Sequence, residues 1–157
     1  SVVAESFPPP GFILTAQGNL IEKTEKQKVE SGEIKLSDLI EAKCVKISLL
    51  CHTKIVGGIR SSALGEEYVY PSDEIDQQNL ICKVTANRDS VFKCTKVSNG
   101  EKDYYLHTSS QFRQVLEDGD TFITNVLKNS TELQKTLRAK TTYESVLNFD
   151  INVGWYI

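Results

Sequence analysis

Leu147-Asn148-Phe149-Asp150-Ile151-Asn152-Val153-Gly154-Trp155-Tyr156-Ile157 is the stretch on which the reading of this chain turns. Its odd positions are all large and apolar; its even positions carry Asn, Asp, Asn, Gly and Tyr. In a strand, successive side chains point to opposite faces, so a period of two makes one apolar face and one wetted face. A helix would spread the same six apolar residues around its circumference. The stretch therefore predicts a half-buried strand roughly 36 Å long, longer than the usual strand of about 5–6 residues.

The same alternation recurs upstream. Val45, Ile47, Leu49 and Cys51 fall on one strand face, and Gly57-Gly58 supplies a tight turn that sets Val45 and Ile47 opposite Tyr70 and Tyr68. Pro71 closes the returning strand, where a missing N–H is tolerated. Leu80, Cys82 and Val84 alternate up to Asn87-Arg88-Asp89, and a turn there puts Cys82 opposite Cys94 and Val84 opposite Phe92. Asn99-Gly100 is the strongest short hairpin signal, setting Cys94 across from Tyr105 and Lys96 across from Asp103. Thr121 to Leu127 has strand character again. Near the N-terminus, Phe12–Thr15, the turn residues Gln17-Gly18-Asn19 and Leu20-Ile21 read as a small hairpin.

Helical signals are short. Ser37–Glu41 starts a turn, and Gln111–Leu116 predicts a short helix ending before Glu117-Asp118-Gly119-Asp120. Asn129 caps a second through Leu137, with Glu132 completing a capping box. The mixed-sign run Glu22–Glu30 reads as a solvated loop or exposed helix turn. The expected fold is mainly β, an antiparallel sandwich, barrel or curved sheet with two short helices. Pro8-Pro9-Pro10 marks residues 1–10 as an extended N-terminal arm, and 11–157 form a single β-rich domain ending in the long C-terminal strand.

A chain of 157 residues suits one domain. Its net charge of −3 and pI near 5.5 argue against a nucleic-acid partner. No apolar run approaches the ~20 residues that span a bilayer. The lack of Met at position 1 points to a processed or trimmed N-terminus. The cysteines at 44, 51, 82 and 94 show no Cys-x-x-Cys and no zinc-finger His spacing, which argues against a structural metal. For Cys82 and Cys94, a cross-strand disulfide competes evenly with two packed thiols. Asn129-Ser130-Thr131 is a glycosylation sequon, of consequence only in a secreted protein.

Lys54-Ile55-Val56-Gly57-Gly58 resembles the activation site of chymotrypsin-like serine proteases. No Gly-Asp-Ser-Gly follows and the chain has only two histidines, so a hairpin turn is the better reading. Cys51-His52 are strand neighbours facing opposite ways, which disfavours a Cys–His pair. Asn148, Asp150 and Asn152 form an oxygen-rich row, but calcium wants six or more ligands wrapped around it. Tyr104 to Leu127 resembles the end of ubiquitin-like interaction domains, which makes an α+β ubiquitin-like core the alternative fold. Such a fold needs a long helix in the middle, which the alternation of Leu80, Cys82 and Val84 argues against.

No triad, metal set, cofactor motif or phosphate loop stands out, so the expected function is a non-enzymatic structural or interaction subunit. It would assemble with other protein chains, or with copies of itself, through its surface and terminal strand. The interacting residues would be Phe149, Ile151, Val153, Trp155 and Ile157. The alternative is a β-barrel, secreted or not, holding a small apolar ligand among residues such as Phe92, Tyr105 and Phe149.

Overall fold

The computed structural model describes residues 8–155. It is 51% helical and 17% strand, an α+β fold rather than the mainly β one expected. The elements run β1 (Phe12–Leu14), β2 (Leu20–Glu22), α1 (Glu25–Glu30), α2 (Leu36–Val56), β3 (Ile59–Ser61), β4 (Tyr68–Tyr70), α3 (Glu74–Ala86), β5 (Ser90–Lys96), β6 (Lys102–His107), α4 (Ser109–Arg138) and α5 (Tyr143–Leu147). All strand pairings are antiparallel, in a two-stranded sheet β1-β2 and an open four-stranded sheet β3-β4-β5-β6. The closed barrel of the apolar-ligand reading is absent among the described residues. So is any helix long and apolar enough to cross a membrane.

The described residues fall into two compact units: those up to Val45 with Lys135–Asp150, and Lys46–Gln134 with those from Ile151 on. In the second unit, Tyr68, Tyr70, Leu80, Phe92, Cys94, Phe112 and Val115 form the core. Phe112, Val115, Gly119, Val126 and Ser130 give α4 one buried face at helical spacing. Gly119, expected to end a short helix, lies inside a long one. A Cβ there would stand 3.0 Å from Ile59 Cδ1, so the glycine lets the helix backbone approach β3. Asn129 is accordingly an interior residue of α4, not a cap.

The strand expected over Val45–Cys51 is part of α2, and the reason is instructive. Residues spaced by two lie about 200° apart on a helix, so alternation splits into two opposite stripes. Ile47 and Cys51 are buried, while Val45 and Leu49 are 59% and 61% exposed. Leu80, Cys82 and Val84 belong to α3, capped by Asp73 through its side-chain bond to the Asp76 N–H and ended by Asn87 at φ +50°. Only Leu80 of that helix is buried. Thr121 to Leu127 lies within α4.

Gly57-Gly58 turns the chain from α2 into β3, which pairs Ile59 with Tyr70. Gly58 has φ +110° and leaves no room for a Cβ beside Val69 Cγ1, at 2.7 Å. Ser72 Oγ secures the junction, donating to Ile55 O at 2.6 Å and accepting from the Gly58 N–H at 2.9 Å. The β5–β6 hairpin exists as expected, but in a register two residues away. Cys94 faces Asp103 and Phe92 faces Tyr105, which keeps every side chain on its expected face.

The first unit holds the β1–β2 hairpin, two short helices and the described first part of α2. Capping boxes at Thr24 and Thr142 start α1 and α5. Residues 147–155 are therefore not a strand. Leu147 ends α5, Asn148 is its C-cap, and the Phe149 N–H bonds back to Val146 O at 3.3 Å. Lys43 Nζ donates to the carbonyls of Val146, Leu147 and Phe149 at 2.5, 2.9 and 3.0 Å, filling acceptors a helix end leaves open. Gly154, at φ +95°, turns the tail once more.

Candidate functional site

The expected β1–β2 hairpin leaves four large apolar side chains exposed within the first unit. Thr15 and Asn19 close its turn, with the Thr15 N–H on Asn19 O at 2.8 Å and the Asn19 N–H on Thr15 Oγ1 at 3.1 Å. Gly18 takes the φ of +82° that the turn requires. The register sets Leu14 opposite Leu20 and Ile13 opposite Ile21. Charge fixes the base: Lys28 Nζ meets Glu22 at 2.8 Å, and Lys23 is paired with Glu33. Those partners hold the Glu22 and Glu33 carboxyls below the usual range. The apolar side chains stay in water: Phe12 is 39% exposed, Leu14 42%, Leu20 45% and Ile21 50%. Among the described residues, neither outer edge is paired with a further strand. A ribbon of this kind can offer a partner main-chain hydrogen bonds and an apolar face together.

Three titratable groups of the second unit, Cys94, Tyr70 and His107, lie inside it. His107 Nδ1 is 2.8 Å from Tyr105 O, a group that only accepts, so this nitrogen carries the proton. Nε2 then accepts from the Tyr70 hydroxyl at 2.8 Å, and the Cys94 thiol hydrogen-bonds that hydroxyl in turn. Cys94, Tyr70 and His107 are at most 1% exposed. Phe112 stacks on the imidazole with centroids 4.9 Å apart. Burial pushes the Tyr70 hydroxyl well above its ordinary value and the Cys94 thiol up to about 11, and pushes His107 down. The arrangement is a hydrogen-bonded polar cluster buried in the core.

The five terminal residues singled out in sequence do not share a strand face. Phe149 is half-buried under the Lys140 ammonium at 6.0 Å. Trp155 donates its indole N–H to Ile151 O at 2.8 Å and sits beneath Lys54 at 5.3 Å. Val153 is exposed, and Ile157 lies outside the described residues. Asn148, Asp150 and Asn152 form no straight column, since the turns after α5 separate them. The facing register behind a Cys82–Cys94 bridge does not occur. Cys82 is an exposed residue of α3, Cys94 is buried in β5, and both are free thiols. Phe92 and Tyr105 belong to the packed sheet core and line no barrel cavity. Sequence reasoning found the N-terminal hairpin but not its exposure. The signal was its composition: five apolar residues in two three-residue strands leave both faces oily. Compared with family models, curated proteins and solved structures, the chain matches none of them.

Proposed function

We propose that this chain is a non-enzymatic interaction subunit that seats a partner protein chain on its β1–β2 ribbon. The observation that carries the reading is the simultaneous exposure of Phe12, Leu14, Leu20 and Ile21 on a two-stranded sheet with open edges. Such a hairpin is marginally stable alone, and clustered apolar side chains in water mark contact surfaces. Covering the exposed half of each side chain favours association by about 1 kcal/mol apiece. The sealed state of Cys94, Tyr70 and His107 supports the non-enzymatic part, because none can reach a substrate. This reading moves the contact from the terminal stretch to the N-terminal hairpin.

A photo-crosslinking amino acid at position 20 of the full chain, irradiated in native extract, tests it. The expected product is one adduct of discrete mass, lost when Leu14→Glu is added. A chain that stays monomeric and uncross-linked at that position overturns the reading.

A further inference from the structure

A cleft of about 490 Å³ opens in the second unit between α3 and the β5–β6 hairpin. Its size lies within the range of small-molecule sites, roughly 300–1,000 Å³. Its charge departs from that of the whole protein. The chain carries 18 basic and 21 acidic residues, yet this cleft is lined by Lys83, Lys93 and Lys102 against the single carboxylate of Asp76. Three positive charges and one negative leave a local excess of two.

Asp76 is close enough for Lys102 to act on it electrostatically, but no close ion pair forms in the cleft. Lys23, Lys26, Lys28 and Lys96 each meet a glutamate. Among the described residues, no ion pair holds Lys83, Lys93 or Lys102. Two of the three are nonetheless positioned. Lys83 Nζ donates to Ser90 Oγ at 2.8 Å, and Lys93 Nζ stands over the Tyr104 ring, 5.5 Å from its centroid. Lys93 and Tyr104 are direct cross-strand partners, so backbone register holds them together. Apart from Asn79 and Cys82, the remaining wall is apolar or aromatic: Val91, Phe92, Pro71 and the 61% exposed Tyr104.

We propose that this cleft binds a small organic anion. A phosphate, sulfonate or carboxylate group is held by Lys83, Lys93 and Lys102, and an aromatic or apolar body rests on Tyr104 and Val91. Positioned ammoniums suit the anionic end because charge-assisted hydrogen bonds are the stronger kind. The exposed Cys82 thiol lines the same cleft and reports its occupancy. The proposal does not depend on the hairpin, which belongs to the other unit.

The test uses the full chain and two dyes with the same rings: 8-anilinonaphthalene-1-sulfonate, and N-phenyl-1-naphthylamine, which lacks the sulfonate. The sulfonated dye is expected to saturate at one per chain and to bind at least about tenfold tighter than the neutral one. Its affinity should fall by about tenfold or more in Lys93→Gln and in Lys102→Gln, and fall with added salt. Saturating dye should slow alkylation of Cys82. Lys46→Gln, on the exposed side of α2, should leave binding unchanged, and circular dichroism checks that each variant is folded. Equal affinity for the two dyes, non-saturating uptake, or unaltered binding in both lysine variants overturns the proposal.

Discussion

Charging the His107 ring means placing a cation in the core between Phe112 and Tyr70, which is why burial lowers its affinity for a proton. The neutral ring is fully used, one nitrogen donating and the other accepting. Tyr70→Phe removes the hydroxyl that serves both Nε2 and the Cys94 thiol. It should cost about 1–3 kcal/mol in denaturant unfolding, the penalty for an abandoned buried acceptor. Thiol chemistry sorts by burial as well. Under native conditions a brief alkylation should add one adduct by intact mass, at Cys82, because Cys44, Cys51 and Cys94 are covered. Adducts at the other three should appear only with denaturant. Neither the shared hydroxyl nor the exposed thiol was legible beforehand, since both depend on contacts far apart in sequence. Tyr70 and His107 are separated by 37 positions.

Elements were legible where turn chemistry fixed them. Gln17-Gly18-Asn19 and Asn99-Gly100 each mark a real hairpin, because a glycine with positive φ constrains the backbone locally. Alternation misled where a helix has two apolar stripes. Val45 and Leu49 on one side of α2, with Ile47 and Cys51 on the other, mimic a strand in linear sequence. The terminal stretch misled differently: the capping box at Thr142 lies just upstream and starts α5, and Phe149 and Trp155 after it find separate partners. Gly119 offers an element-scale test. Alanine in a helix interior normally gains about 1 kcal/mol over glycine. Here the added methyl meets the buried Ile59, whose overpacking costs about 1–3 kcal/mol. Gly119→Ala should therefore fail to stabilise and should lower the denaturation midpoint, and adding Ile59→Val should restore part of the loss. Lys43→Met should loosen α5 by about 1–3 kcal/mol, read as faster amide exchange at Val146 to Phe149.

Across the molecule, acid should act in two stages. His107 has a folded-state pKa below its unfolded value of about 6.5, so its contribution is fully present above that pH. It declines as pH falls toward the folded value. The second stage belongs to carboxylates. Glu22, Glu33, Glu41, Glu66 and Glu144 are each held below the usual range, first by a hydrogen bond from Lys28, Lys23, Arg138, Lys96 and Lys26 respectively. Their contribution is present above the unfolded value of about 4.3 and lost as pH falls through the folded values. Four of the five lie in the first unit, whereas His107 lies in the second. Hydrogen exchange should therefore show residues around β5 and β6 loosening as pH falls below about 6.5, ahead of the segments near α1 and α5. Uniform loosening of both units over that fall would contradict this. The reach of Lys43 has a further bearing, on birth rather than on titration. Its first acceptor, Val146 O, lies 103 residues downstream. On the ribosome the lysine emerges long before the carbonyls it will hold, while the four-stranded sheet can already close, so the N-terminal unit is completed only after the sheet of the second unit has been made.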